Sequence, residues 1–139
     1  ATSRLFIARY DDDRRRWVPL VSSVDPDSRR VSAATNHLSL FQIMASVPAS
    51  DLEQVKVFPN PWRPVTGQTS MTFVNLPADT NLRVHTFRGE LVRQLKANSA
   101  GMAAWDGKND YGVFVGSGVY LVRLGANSST RVIKVAIQR

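Results

Sequence analysis

Apolar and polar residues alternate with period two along nearly the whole chain. No stretch of eleven or more residues carries apolar side chains at i, i+3, i+4 spacing. Alternation sends successive side chains to opposite faces, so these segments are expected to be strands, not helices. Turn-forming residues recur every eight to twelve positions, the spacing of an antiparallel sandwich or barrel. The expected fold class is all-β. Cysteine is absent and only two histidines occur, His37 and His85. Thiol-nucleophile enzymes, disulfide scaffolds and the usual zinc sites are thereby excluded. At 139 residues the chain suffices for one good core or two small ones without cross-links. No apolar run approaches a membrane-spanning helix, so no transmembrane segment is expected, and no signal-peptide pattern occurs. The first residue is Ala1, not Met, so the expectation is a processed or excised part of a longer protein with upstream domains.

The formal net charge is +7, which raises the question of an anionic partner. The cations lie singly along alternating segments. The one dense run, Arg14-Arg15-Arg16, directly follows Asp11-Asp12-Asp13 and is locally neutralised. Residues 1–50 carry net +2 and residues 51–139 net +5. No Gly-rich or aromatic-basic motif for base stacking is present. Specific nucleic-acid binding is therefore not expected; a solvated basic surface is.

Two modules are expected. In residues 1–46, strands over 4–10, 17–22, 30–35 and 38–45 form a four-stranded antiparallel meander, turning at 11–15 and at Asp25-Pro26-Asp27. Four short strands make a thin independent unit, so this module should lean on the second or on upstream sequence, as the end of a larger domain. Residues 47–53 are small and polar and read as a linker. In residues 54–139, strands are expected over 55–58, 70–76, 81–87, 90–96, 102–105, 118–125 and 131–138. Pro59, Pro61 and Pro64 cannot donate to a ladder, so this segment should lie at a sheet edge or cross between sheets. Arg88-Gly89 and 126–130 read as hairpin turns. On the last strand Ile133, Val135 and Ile137 share one face, and Val132, Lys134 and Ala136 the other. About seven strands in this length indicate an Ig-like β-sandwich.

Five blocks of the second module, in order, carry a resemblance. They are Val57-Phe58-Pro59-Asn60-Pro61-Trp62-Arg63-Pro64, Met71 to Pro77, Val84 to Leu95, Trp105-Asp106-Gly107-Lys108-Asn109-Asp110-Tyr111-Gly112, and Ser117-Gly118-Val119-Tyr120. Residues 55–139 resemble the Ig-like domain of flagellar hook-capping proteins, shared with type IX C-terminal sorting domains of secreted bacterial proteins. The resemblance implies a non-enzymatic C-terminal module that is secreted or held at the cell surface. Its role would be export recognition, surface attachment or assembly, and its partners secretion machinery or a cell-envelope component. The usual Tyr-Asp of the family is His85-Thr86 here, and an Asp of its Trp-Asp-Gly turn is Asn109. These changes spare the fold but alter the surface a partner would meet.

Read physically, Trp105 should plug the core, and Asp106-Gly107 should open a turn in which the carboxylate accepts backbone N–H bonds. Gly112 and Gly118 should supply positive φ or close approach. Asp106, Asn109 and Asp110 also offer oxygen donors for Ca²⁺, although their spacing lacks the terminal bidentate Glu of a Ca²⁺ loop; the structural turn is the main reading. No cofactor is expected.

In the first module, His37-Leu38-Ser39 is similar to the cleavage sequence of autoproteolytic proteins. His37 and Ser39 would point to one side of a strand. The imidazole would take the Ser39 proton and Oγ would attack the Leu38 carbonyl, shifting the acyl group from N to O before hydrolysis. Such a step needs a strained peptide and an oxyanion donor. The alternative is a plain strand. No nucleophile-elbow, phosphate-loop or dinucleotide motif occurs, and Asp11 to Arg16 read as cross-turn charge pairs of little energetic weight. Trp17 and Trp62 are candidate platforms for a sugar ring.

Overall fold

The computed structural model describes residues 4–35, 38–64 and 69–139. The described residues form an all-β protein of twelve strands. The first five are β1 (Leu5–Asp11), β2 (Arg16–Leu20), β3 (Ser22–Asp25), β4 (Arg30–Ala33) and β5 (Phe41–Ala45). The other seven are β6 (Lys56–Phe58), β7 (Met71–Val74), β8 (Asn81–Thr86), β9 (Leu91–Lys96), β10 (Ala103–Trp105), β11 (Gly118–Ala126) and β12 (Ser129–Ile137).

The first five strands depart from a simple meander at two points. The expected second strand breaks at Val21, leaving β3 and β4 as a two-stranded sheet. The Ser22 hydroxyl causes the break to be satisfied locally. It donates to the Leu20 carbonyl at 2.8 Å and accepts from the Ile7 N–H at 2.9 Å, replacing a ladder bond with side-chain bonds. The second departure concerns β5, which pairs with β1 and not with β4, giving the order β2-β1-β5. Residues 38–40 are not part of the strand, which starts at Phe41. Phe6 and Ala8, the buried residues of β1, explain why β1 takes the centre: the strand with most to bury gains from neighbours on both edges.

Both turns of this module are built by aspartate. Asp11 Oδ1 accepts from the N–H groups of Asp13 and Arg14 at 3.1 and 3.2 Å, and Arg14 Nε lies 3.9 Å from Asp11 Oδ2. Asp25 accepts from the N–H of Asp27 at 3.1 Å and from the Ser28 hydroxyl at 2.6 Å. These bonds, Ser28's hydroxyl foremost, hold the Asp25 carboxyl below the usual carboxylate range. A carboxylate facing its own backbone two residues on is the Asx-turn geometry that Asp favours.

The last seven strands form a sandwich of two antiparallel sheets, β10-β7-β6 and β12-β11-β8-β9. Between them lies one core holding Trp62, Met71, Phe73, Leu76, Leu82, Val84, Trp105, Val122, Leu124, Val135 and Ile137. Val135 and Ile137 face this core while Val132 and Lys134 face solvent, as the alternation requires. The β11–β12 turn is tighter than expected. It contains only Asn127 and Ser128, at φ 48° and 67°, the two positive values that a two-residue hairpin of matching twist demands.

A second, smaller cluster joins the modules. Phe6, Ala8 and Met102 are buried together, with Val21, Met44 and Val74 packed on them. The inner face of β1 thus leans on the sandwich. Residues 47–53 are likewise docked. Leu52 is part of the sandwich core, the Ala49 N–H donates to the Leu76 carbonyl at 3.1 Å, and Arg131 donates to the carbonyls of Leu52 and Glu53 at 2.8 and 3.0 Å.

Candidate functional site

The proline run leaves the β10-β7-β6 sheet with β6 and reaches the other sheet at β12. Asn60 makes the crossing with its side chain. Its Nδ2 donates to the Lys134 carbonyl at 3.1 Å and its Oδ1 accepts from the Ala136 N–H at 3.0 Å. Two residues on, the Trp62 N–H donates to the Ala136 carbonyl and the Gln138 N–H to the Trp62 carbonyl, each at 2.8 Å. Pro59 and Pro61, both preceded by cis peptide bonds, cannot make such bonds, so the amide between them does. The outer edge of β12 is thereby covered from Lys134 onward, where backbone groups would otherwise stand unpaired.

The 106–113 loop closes the opposite edge. The Asp110 N–H donates to the Val92 carbonyl at 3.0 Å, and Asp110 Oδ1 accepts from the Gln94 N–H at 3.2 Å. Within the loop, Asp106 Oδ1 accepts from the Lys108 N–H at 3.0 Å, and Asn109 Oδ1 accepts from the N–H groups of Tyr111 and Val113, both at 3.0 Å. Arg93 ties the loop together. Its guanidinium lies 3.7 Å from Asp106 Oδ1 and 3.8 Å from Asp110 Oδ1, and donates to the Asn109 carbonyl at 3.2 Å. The cation between Asp106 and Asp110 is therefore Arg93, and Ca²⁺ would have to displace it. One side-chain oxygen of each of Asp106, Asn109 and Asp110, the Oδ1, is already engaged in the turn.

Trp105 is fully buried. Its Nε1 donates to the Lys108 carbonyl at 2.9 Å, and its ring meets Tyr120 edge-on at 5.5 Å. The Tyr120 hydroxyl donates to the Gly116 carbonyl at 2.8 Å. Burial pushes the Tyr120 phenol above its ordinary range, with the Arg139 charge opposing the shift. Gly107, at φ 76°, leaves room for the Trp62 ring. Gly112 and Gly118 both have positive φ, 81° and 158°. Ser117 Oγ accepts from the Arg139 N–H at 2.8 Å, and Arg139 Nε donates to the Val115 carbonyl at 2.7 Å. Lys108 and Arg139 both lie over the Phe114 ring, at 4.8 and 5.0 Å. Block 59–62 thus converges with the sequence-distant blocks 105–112 and 117–120, themselves close neighbours in the chain, on one end of the sandwich. The rim there is apolar and open, with Tyr111, Val113 and Phe114 exposed. An apolar rim flanked by two cations is a candidate docking surface.

The other candidates fall elsewhere. His37 lies outside the described residues. Leu38 is fully exposed, and the Ser39 hydroxyl donates to the Tyr10 carbonyl at 2.8 Å, a bond that fastens residues 38–40 to β1. Trp62 is buried and offers no sugar platform, because the core claims its ring. Trp17 is partly exposed and stacks edge-on against Tyr10 at 5.3 Å. A cleft of about 240 Å³ between the modules is lined by Val18, Pro19, Phe58, Pro59 and Thr72, with Arg9 its one ionisable group among the described residues. Arg93 and Arg139 escaped sequence reading because each acts on segments far away in the chain.

Fold and site together define an Ig-like β-sandwich with a small β module docked on it. Part of PorZ, an essential bacterial surface component of the type-IX secretion system of human oral-microbiomic Porphyromonas gingivalis, is similar to this chain, with 29% identity over 68% of it and a TM-score of 0.57. The match spans 13% of the PorZ chain. Dimeric latent PorU from Porphyromonas gingivalis matches 60% of this chain and 9% of its own at 27% identity, with a TM-score of 0.44. No protein-family model and no curated protein sequence matches the chain.

Proposed function

We propose that this chain is a non-enzymatic module of a secreted or cell-surface bacterial protein, acting in export recognition, surface attachment or assembly. The observation that carries the reading is the similarity in sequence and fold to a part of the surface component PorZ. The apolar rim at Tyr111, Val113 and Phe114 supports it, since a docking module needs an exposed face that its own fold does not use. Partners of this kind are secretion machinery, a cell-envelope component and the upstream domains of a parent protein. The test is to fuse residues 1–139 to the C-terminus of a periplasmic reporter in a type-IX-competent bacterium. Surface or extracellular reporter is expected, and retention equal to that in a secretion-deficient strain would overturn the export role.

A second reading, assembly in the manner of a scaffold, is favoured by β5. Among the described residues no strand pairs with its outer edge, Phe41 and Ile43 are exposed there, and residues 31–50 hold no Lys, Arg, Asp or Glu. Charges are the usual guard of such an edge. Light scattering decides this reading: concentration-dependent oligomers that Ile43→Lys abolishes support it, and a strict monomer removes it.

A further inference from the structure

The four strands of the larger sheet, β8, β9, β11 and β12, contain six cations and no carboxylate. Two of the six are engaged, Arg93 by Asp106 and Asp110 and Arg131 by the carbonyls of Leu52 and Glu53. The other four, Lys96, Arg83, Arg123 and Lys134, are exposed, and each comes from a different strand. None of the four has an ion pair among the described residues.

Register turns them into a line. Arg83 stands directly opposite Arg123. Lys96 is opposite Asn81, two residues from Arg83 along β8, and Lys134 is opposite Leu121, two residues from Arg123 along β11. Opposite neighbours sit about 5 Å apart and diagonal ones about 7–8 Å, so the line runs roughly 20 Å across the face. Like charges placed directly opposite one another weaken a sheet. A pair such as Arg83 and Arg123, kept on the open face with no acid near in the strands, gains when something negative lies over it.

We infer that the open face of this sheet binds an acidic polysaccharide along the diagonal Lys96, Arg83, Arg123 and Lys134. Charge complementarity selects an anionic partner. The single-file arrangement fits a linear chain bearing acidic groups better than a planar lipid surface, which would be met by cations spread over the face. No Phe, Tyr or Trp points outward from the four strands beside the line; the exposed Phe87 belongs to the β8–β9 turn. The one ring on that face beside the line, His85, is only half-exposed, so no fully open aromatic platform for nucleic-acid bases is present there. Instead Asn81, Gln94 and Thr130, all exposed, flank the cations with amide and hydroxyl groups suited to sugar hydroxyls. This inference goes beyond the export reading and does not depend on it.

The test titrates the full chain with fluorescent heparin, a sulfated uronate polysaccharide, at two salt concentrations. Binding that weakens with salt is expected. Arg83→Gln with Arg123→Gln should weaken it at least about tenfold, the size of losing close charge contacts, and Lys96→Gln with Lys134→Gln should do likewise. Arg29→Gln with Arg30→Gln removes equal charge from the β3–β4 hairpin and should change affinity less than about twofold if the site is local. Exchanging exposed arginines for glutamine leaves the core untouched, and both stripe variants should melt cooperatively; either alone suffices for the test. Equal losses in stripe and control variants would overturn the site. So would tighter binding to a single-stranded DNA oligonucleotide or to phosphatidylglycerol vesicles, or no heparin binding by the unmodified chain.

Discussion

Gly107 faces the ring of Trp62 so closely that a Cβ built on it would lie 2.7 Å from Cζ3 of the indole and 3.2 Å from Nη2 of Arg139. The two residues come from different blocks of the chain, and their contact joins the proline crossover to the Trp105 turn. Gly107→Ala combines a left-handed φ of 76° with overpacking against a buried ring, and should cost about 2–4 kcal/mol in urea unfolding. Gly112→Ala is the control. Its φ is 81° but nothing lies within 4 Å of the added carbon, so only the backbone strain of about 1–2 kcal/mol is expected.

Asn60 substitutes for a strand peptide at the edge of β12. Asn60→Ala removes both bonds, to Lys134 and to Ala136, at an exposed site where each contributes about 0.5–1.5 kcal/mol. A loss of about 1–2 kcal/mol is expected. Amide hydrogen exchange checks the location: the Ala136 N–H should lose protection while that of Val122, in the middle of the sheet, keeps it.

Arg93 holds the 106–113 loop against β9. A double-mutant cycle of Arg93→Gln and Asp110→Asn should show coupling of about 0.5–1 kcal/mol, the range of a partly solvated pair. Because Arg93 supplies the cation of this loop, millimolar Ca²⁺ should leave the melting temperature of the unmodified protein unchanged. A rise of several degrees would show that the metal displaces it.

Tyr120 predicts an alkaline dependence. Its phenol is raised in the folded protein by burial, so folding favours the protonated form. That contribution is fully present below the unfolded value and is lost as the pH rises through the higher folded value. Melting temperatures of the unmodified protein should fall in the alkaline range, and Tyr120→Phe should show a shallower fall. Parallel curves would refute the assignment.

Phe6 is the main anchor of the first module. Phe6→Ala empties the small cluster with Ala8 and Met102 and should cost about 3 kcal/mol. The loss is expected to be local, with amides of β1 and β5 exchanging faster and those of β8 and β11 unchanged.

The strands of the sandwich were legible in the sequence because period two depends only on neighbours in the chain. Ile133, Val135 and Ile137 declare their face without reference to any other strand. The Asp25 turn, the Arg88-Gly89 hairpin and the prolines that exclude a central strand are local in the same sense. Where the chain goes next is not. The Ser22 hydroxyl ended β2 early, and the apolar strand β1 drew β5 across to its free edge, because burial is shared among segments that local pattern cannot rank. Nor does alternation say which outward residues meet. Arg83 and Arg123 each point to solvent by parity alone, but only the pairing register sets them opposite one another. Asn60, Trp62, Arg93 and Gly107 acquired their roles in the same way, from contacts between segments up to 76 residues apart. By itself the sequence determined an all-β chain, the strands of the sandwich and most of the turn positions, through steric rules that act within a few residues. The tertiary structure alone decided the covered stretches of sheet edge, the apolar rim and the line of cations, because those depend on how packing brings distant segments together.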